Sequence, residues 1–476
     1  MTRPHRTKVA RPGVTSGTLL ALLFCLIIIL RATQGWSDRF LPEGFSVVPD
    51  VLTIALGTIA AFKKRTGERR MTSGGALALA YLAVCIISAI NVAATLSPTL
   101  AIFGLRSMTV GVGTILLFQF CELTTKQYLM VRTTLILAVG ANLVAAMKQA
   151  IFGYTTDELA YIASNGSTYL VGDQVRLIGL QTSGQDFSLI AGGAAVWGIS
   201  TIVLSRKYSI SRWAYTIALT GIAACVLSLQ RSVLLGVAAS VVVVWGAELF
   251  SDPTFGFMKR SARMCFASIL SGSVLLGLSS IVAPGQTEEA VSRIFSFANL
   301  GADDSWASRS NHTIPVAIQL FKDNPFGYGV GTSGPVAAAV EGSPLAPYPL
   351  GGISPDNGYF LILLQIGVVG FAVFLLMTAT WSISGRLFTS VPVVRFNSLA
   401  IFSFIFGSML SGSFWALGST MTIVLFMASF DLRAFSDGHP VGADETTRMR
   451  QLRFDLPVGT YVKRNECTPL SSTGVS

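Results

Sequence analysis

Charged side chains are scarce in this sequence. They make up 12% of its 476 residues, where soluble domains carry roughly 25%. That scarcity excludes an ordinary soluble enzyme. Paired cysteines are missing as well. The six cysteines (Cys25, Cys85, Cys121, Cys225, Cys265 and Cys467) form no CxxC pair. Five of them lie in or at the ends of apolar runs, which suits small buried side chains and not disulfides or metal ligands. No internal repeat is visible, although many secondary transporters have one. No small-residue cleavage site follows the basic N-terminus (Arg3, Arg6, Lys8, Arg11) and its apolar run from Leu19 to Leu30. This stretch therefore reads as a retained first helix and not as a signal peptide.

Apolar residues are abundant: 51% of the chain, with a mean hydropathy of +0.62. A membrane span needs about 20 mostly apolar residues. Twelve candidate helices meet or approach that pattern, at 16–30, 46–62, 75–96, 99–121, 129–151, 186–204, 213–229, 232–250, 264–283, 357–380, 395–411 and 412–430. The eleventh and twelfth nearly abut and read as a hairpin or a broken segment. The expected fold is an all-α polytopic membrane protein. Its expected parts are a cytoplasmic basic tail (1–15), helices 1–9 (16–283), a large extracytoplasmic loop (284–356), helices 10–12 (357–432) and a flexible cytoplasmic tail (433–476).

Charge placement sets the orientation. With the N-terminus in the cytoplasm, the alternate segments 63–70, 122–132, 205–212, 258–263 and 384–395, together with both tails, hold 25 of the 34 Lys and Arg residues. Arg106 and Lys148 fall inside helices. Seven bases remain outside: Arg31, Arg39, Arg176, Arg231, Arg293, Arg309 and Lys322. This asymmetry puts both termini in the cytoplasm. The net charge of +10 then faces cytoplasm and anionic headgroups, and nucleic acid is not the expected partner.

On the outer side acids outnumber bases, fourteen to seven, so each outer arginine needs its own explanation. Arg231 sits in "SLQRSVLL", between two apolar runs. A guanidinium there snorkels to the interface, pairs with an acid, or clamps a phosphate in bidentate fashion. Arg309, in "DDSWASRSNHT", pairs with Asp303 or Asp304 or serves the same clamp. Arg176, in "GDQVRLIGLQTSG", has Asp173 as its alternative partner. Arg106, deep in the fourth helix, reads equally well as a helix-packing contact. The large outer loop is rich in aromatics and glycine. The spacing of Trp306, Ile314, Ile318 and Phe321 predicts an amphipathic helix over Ser305–Lys322, lying on the outer leaflet or capping a cavity.

The run "GVGTSG" (Gly329–Gly334) matches G-x-G-x-x-G but lacks a strand–turn–helix context. It reads as a tight turn that lets backbone approach a sugar or phosphate, not as a dinucleotide site. Asp303, Asp304 and Glu341 show no spacing that favours a metal ion. Asp356, just before the tenth apolar run, has the position of a helix N-cap, and Asp50 has the same position at the second.

Four motifs taken together resemble the O-antigen polymerase/ligase family of bacterial membrane glycosyltransferases. They are "RLIGLQTSGQDFS" at Arg176, "SLQRSVLL" at Arg231, "SWASR…AIQLFKDNPFGYGVG" in the large loop, and "DNGYFLILLQIGVVG" at Asp356–Gly370. The resemblance implies transfer of a polyprenyl-diphosphate-linked glycan to a glycan hydroxyl on the outer face of the membrane. It calls for no cofactor and no metal. Its partners would be the lipid-linked donor, the acceptor glycan, membrane lipid and proteins of a polysaccharide-assembly pathway. By the same resemblance Arg231, Arg309 and Arg176 stabilise the leaving diphosphate, and Asp356 accepts the acceptor's proton. Asn357 binds sugar hydroxyls, Gly329 and Gly331 form the close-approach turn, and Asp50 lines the cavity. Family ligases place a histidine immediately before this asparagine. Asp356 stands there instead, which favours the polymerase branch. The alternatives are a ligase acting on a lipid or other acceptor, a glycolipid transporter or flippase, a peptidoglycan-strand polymerase, and a scaffold without catalysis.

Overall fold

A computed structural model describes residues 14–41, 47–65, 73–120, 123–165, 170–171, 174–204, 212–251, 309–334, 357–384, 392–410 and 418–430, with isolated positions between them (277, 280, 288, 291, 337, 343–345, 412 and 432). All of these belong to one unit, Met1–Ala434. The helices are α1 (Val14–Ala32), α2 (Gln34–Phe40), α3 (Val48–Arg65), α4 (Ser73–Thr95), α5 (Pro98–Phe120), α6 (Thr125–Phe152), α7 (Thr156–Asn165), α8 (Gly184–Leu204), α9 (Arg212–Leu227), α10 (Arg231–Ser251), α11 (Ile314–Asp323), α12 (Gly358–Ser384), α13 (Pro392–Met409) and α14 (Gly418–Ser429). A π-helical turn, Arg309–Thr313, leads into α11. The strands β1 (Leu170–Val171) and β2 (Gln174–Val175) make a small antiparallel hairpin.

Eleven of the twelve expected apolar segments carry a helix; the ninth, 264–283, lies almost wholly outside the described residues. By length and composition five helices can cross a membrane, and six if α1 and α2 are one broken span. The chain is thus a predominantly helical, multi-pass membrane protein. Shorter apolar helices, including Trp213–Leu227 and Arg231–Ala247, account for much of the difference from the expected twelve. The segments expected to abut near 411 are separate helices, α13 ending at Met409 and α14 starting at Gly418.

Burial ranks the helices. In α5 and α8 the apolar windows are 78% and 83% buried, against 33% in α4 and α6. The first pair is therefore the centre of the bundle. Glycine permits its close packing: a Cβ at Gly113 of α5 would meet the backbone of Ile54 on α3, and one at Gly221 of α9 the backbone of Ala195 on α8. Membrane helices pack tightly through such small residues because lipid supplies no hydrophobic drive between them. Phe24, Phe118, Phe426 and Phe430 join α1, α5 and the end of α14 by edge and stacked ring contacts.

Helix starts are satisfied locally. Thr124 and Gln127 form a capping box at α6. At α8 the Ser183 hydroxyl accepts from Asp186 N–H at 3.0 Å. At α12 the cap is Asn357, whose Oδ1 accepts from the N–H groups of Tyr359 and Phe360 at 3.0 and 3.2 Å. Capping was expected of Asp356, which lies outside the described residues. The expected amphipathic helix is seen as the π-helical turn Arg309–Thr313 followed by α11, with 305–308 outside the described residues. Its packed side is Val316, Ala317, Leu320 and Phe321, set against Tyr328, Phe360 and Leu364, while Trp306 is outside the described residues.

Candidate functional site

Two helices are broken, and a loop is sewn into each break. The first lies between α1 and α2, which meet at an 81° bend. A break frees backbone carbonyls, and in a membrane these must be satisfied from elsewhere. The carbonyl of Ala32 accepts from Gln181 Nε2 at 2.6 Å and from Asn142 Nδ2 at 2.7 Å. Gly35 N–H in turn donates to the carbonyl of Leu180 at 2.9 Å. A Cβ at Gly35 would overlap the Gln181 carbonyl, so the loop lies directly on α2. Gln149 of α6 pins the same loop from the other side. Its Oε1 accepts from Ile178 N–H (3.2 Å) and Gly179 N–H (2.9 Å), and its Nε2 donates to Gly179 O (3.0 Å).

Arg31 is fully buried beside this break. Asp50, itself buried at the start of α3, ion-pairs with both Arg31 and Arg106. Arg31 Nη1 also donates to Gln34 Oε1 at 3.1 Å. A guanidinium at membrane depth is tolerable only when paired or wet, and Asp50 supplies the pairing for two of them. Its carboxylate is therefore engaged in holding α1, α3 and α5 together. The sequence reading gave Asp50 a helix cap or a place in the substrate cavity, Arg31 no role beyond its outer position, and Arg106 a helix-packing contact as one of its two readings.

Arg176 contacts the residue that precedes Arg231. Arg176 Nη1 donates to Gln230 Oε1 at 2.9 Å, and Gln230 immediately precedes Arg231, the first residue of α10. The turn between α9 and α10 carries Leu229 at φ 60°, the one non-glycine residue with positive φ among those described. Such a conformation in a bulky residue stores strain and often marks a functional position. Beneath Arg176, a Cβ at Gly184 would meet its side chain, so the arginine lies flat on the start of α8. Asp186, in the same first turn of α8, accepts from Thr182, Ser183 and Thr420 hydroxyls at 2.6–2.8 Å.

The second break is in α12, at Gly367 (φ 66°, ψ −173°). Here the glycine-rich loop 325–334 replaces the helix's own hydrogen bonds. Tyr328 N–H donates to Leu364 O (2.7 Å), Gly329 N–H to Gln365 O (2.9 Å), and Val368 N–H to Pro325 O (2.9 Å). Gln365 completes the seam, accepting from Gly331 N–H at 2.8 Å and donating to Ser333 O at 2.8 Å. Val330 N–H donates to Ser88 Oγ of α4 at 3.0 Å. Gly327, Gly329, Gly331 and Gly334 all have positive φ. A Cβ at Gly331 would run into Leu100 O of α5. The N–H groups of Gly329 and Gly331 are thus taken by α12, and a Cβ at either would collide with a neighbouring helix, α4 or α5. Two residues past Gly104, which abuts Gly331, α5 carries Arg106. α5 therefore links the two sewn regions.

The remaining expected residues divide clearly. Asn357 uses its Nδ2 as well, donating to Leu410 O at 3.1 Å, so it ties α12 to α13 in addition to capping. Arg309 is described only as the first residue of the π-helical turn. Near Arg176, the Tyr154 hydroxyl donates to Arg176 O at 2.7 Å. Burial, helped by the Glu158 charge, pushes this phenol above its usual range. Burial would also raise Glu158, but hydrogen bonds from Thr155 N–H, Gln149 and Lys148, with the Lys148 charge, outweigh it and hold this carboxyl below the usual value. Among the described residues no group of three or more His, Cys, Asp or Glu could hold a metal ion.

The family model described as O-antigen ligase matches residues 216–375, about a third of the chain. That stretch contains Arg231, Arg309, the 325–334 loop and the first half of α12. No curated protein matches the chain.

Proposed function

We propose that this protein transfers a polyprenyl-diphosphate-linked glycan to an acceptor glycan hydroxyl on the outer face of the cytoplasmic membrane, lengthening a surface polysaccharide. The observation that carries the proposal is the pairing of Arg176 with the Gln230–Arg231 turn, a strained turn inside the O-antigen ligase match. In the proposed reaction the acceptor oxygen attacks the anomeric carbon and the bond from that carbon to the diphosphate oxygen breaks. The polyprenyl diphosphate leaves carrying the charge. Arg176 and Arg231, with Arg309 from the large loop, receive that charge as fixed cations, which need little reorganisation in a low-dielectric site. Asp356 takes the acceptor's proton and returns it to solvent. Asn357 fixes where Asp356 stands by capping α12, and Asp50 secures the wall of the cavity through Arg31 and Arg106. The lipid supplies its own activated leaving group, so the scheme needs no nucleotide and no metal.

A ligase reading also has support, because the matched model carries that description. The two differ in acceptor. The test is purified protein in liposomes with a polyprenyl-diphosphate oligosaccharide, offered either the same glycan or a lipid-borne glycan core as acceptor. Polymerisation yields a ladder of longer glycans and free polyprenyl diphosphate; the ligase yields single transfer to the core. Movement of the donor between leaflets with no new bond overturns both. Arg231→Ala should lower turnover about 10²–10³-fold, the usual cost of removing a fixed stabiliser of developing charge. Asp356→Asn leaves the Asn357 cap in place while removing the base, so full activity in that variant would end the catalytic role of Asp356.

A further inference from the structure

The short helix α2 has two faces. Gln34, Gly35 and Ser37 are buried against the bundle. Trp36 and Phe40 are exposed on the other side, with their rings 5.0 Å apart. At 3.6 residues per turn, position 38 falls about 40° from position 34 and roughly 160° from position 36. Asp38 therefore belongs to the inward face, and the Gln34 side chain hydrogen-bonds its carboxyl there. Yet Asp38 is exposed. The charges that act on it are Arg31 of α1, Arg106 of α5 and Asp186 of α8. The Arg106 side chain is 23% exposed, while Arg31 and Asp50 behind it are 0% and 1%. The inward face of α2 thus ends over a wet recess walled by three other helices, with Asp38 in it. We infer that this recess binds the acceptor sugar, whose hydroxyl groups donate to Asp38. This rests on the function proposed above.

Two features select that occupant. One is position. α2 and Arg176 lie on the same short stretch of chain: Gly35 packs on Gln181 and Thr182, and the Arg176 side chain lies on Gly184. Asp186, just beyond, is one of the charges that act on Asp38. An attacking oxygen has to come within about 3–3.5 Å of the anomeric carbon, so the acceptor binds beside the diphosphate clamp, where this recess lies. The other feature is chemistry. The carboxylate of Asp50 is taken by two guanidiniums and that of Asp186 by three hydroxyls. Among the described residues Asp38 has the Gln34 amide and no ion pair. An ionised carboxylate only accepts hydrogen bonds, and two oxygens offer about four sites. Asp38 therefore suits a hydroxyl-rich ligand and repels a diphosphate, which goes to the arginines.

Asp38→Asn keeps an oxygen for Gln34 and removes the charge, so thermal unfolding should be unchanged. KM for the acceptor should rise roughly tenfold, because hydrogen bonds to a charged group are the stronger ones, while KM for the lipid-linked donor stays the same. Unchanged acceptor KM overturns the inference. A rise confined to the donor also overturns it, since the hydroxyls would then be the donor's own. Full activity in Arg231→Ala would overturn the proposed function instead, because that variant should lose turnover at every acceptor concentration. A second readout needs no turnover. A water-soluble carbodiimide with glycinamide should modify Asp38 and spare the buried Asp50. The acceptor oligosaccharide should protect Asp38, and polyprenyl diphosphate without a glycan should not. No modification of Asp38, or no protection by the oligosaccharide, overturns the inference.

Discussion

The two sewn loops solve one problem with different chemistry. Each fills a break in a helix, where freed backbone groups would otherwise face lipid. The 176–183 loop does so with side-chain amides, from Asn142, Gln149 and Gln181, beside the Arg31–Asp50–Arg106 ion cluster. The 325–334 loop does so with its own backbone, four glycines of positive φ and Gln365 as the principal side-chain partner. The first therefore depends on charge and amide partners, and the second on the absence of a Cβ. The proposed donor arginines border the first, where charge is already compensated; the second is a rigid uncharged wall across α4, α5 and α12. Substitutions should separate the two on that basis.

The largest effect is expected at Asp50. Asp50→Ala leaves Arg31 buried without its carboxylate, and breaking a buried ion pair from one side costs about 3–5 kcal/mol. Thermal unfolding of the detergent-purified protein should show this as the most severe loss among the single variants considered. Arg31→Met with Asp50→Leu should recover much of the stability, because replacing a whole buried pair by apolar groups is often neutral. If Asp50→Ala were mild, the charged seam would not be what holds the first break.

The second loop should respond to size alone. Gly331→Ala adds a methyl group that meets Leu100 O, besides the positive φ. Gly153→Ala makes a useful partner variant, since Gly153 has φ 77° but open space around it. Backbone strain is common to both, so Gly331→Ala should be the worse by the overpacking cost, about 1–3 kcal/mol. Equal losses would mean that the seam at Gly367 yields easily. Gln365→Leu tests the same seam by removing the partners of Gly331 N–H and Ser333 O, at about 1–3 kcal/mol for groups left unsatisfied.

These contrasts explain what could be read in the sequence. Apolar runs identified the helices, because hydrophobic length is a local signal. They carried no trace of the break after Ala32, since Arg31 reads as an outer base when the carboxylate 19 residues ahead is out of view. The polar stretch "RATQGWSD", directly after an apolar run, was the available hint. Gly367 lies in the quoted run "DNGYFLILLQIGVVG", yet its role depends on a loop about 40 residues earlier that donates hydrogen bonds to α12. Arg176 and Arg231 were placed on one side by charge bias, and the structure brings the first to the neighbour of the second. The cap of α12 fell one residue later than expected, on Asn357, because adjacent Asp and Asn offer equivalent capping oxygens.

The smallest effect expected is also the one that distinguishes the loops by pH. Glu158 accepts from Gln149 Nε2 at 3.0 Å, and Gln149 pins the first loop. Its carboxyl lies below the ordinary value in the folded state, so the folded state favours the ionised form. The stabilisation is then fully present above the unfolded value near 4.5 and is lost as pH falls through the lower folded value. The Lys148 end is 39% exposed, so screening keeps the effect below about 1 kcal/mol. Glu158→Gln should therefore lower the unfolding temperature slightly at pH 7. The gap to the unsubstituted protein should close well below pH 4.5. Gln365→Leu, measured in parallel, should show a gap that does not move over the acid range, because among the described residues the seam's hydrogen bonds run through backbone groups, Ser88 and Gln365 and through no carboxylate. A pH-dependent gap there would mean that the two loops are not electrostatically distinct.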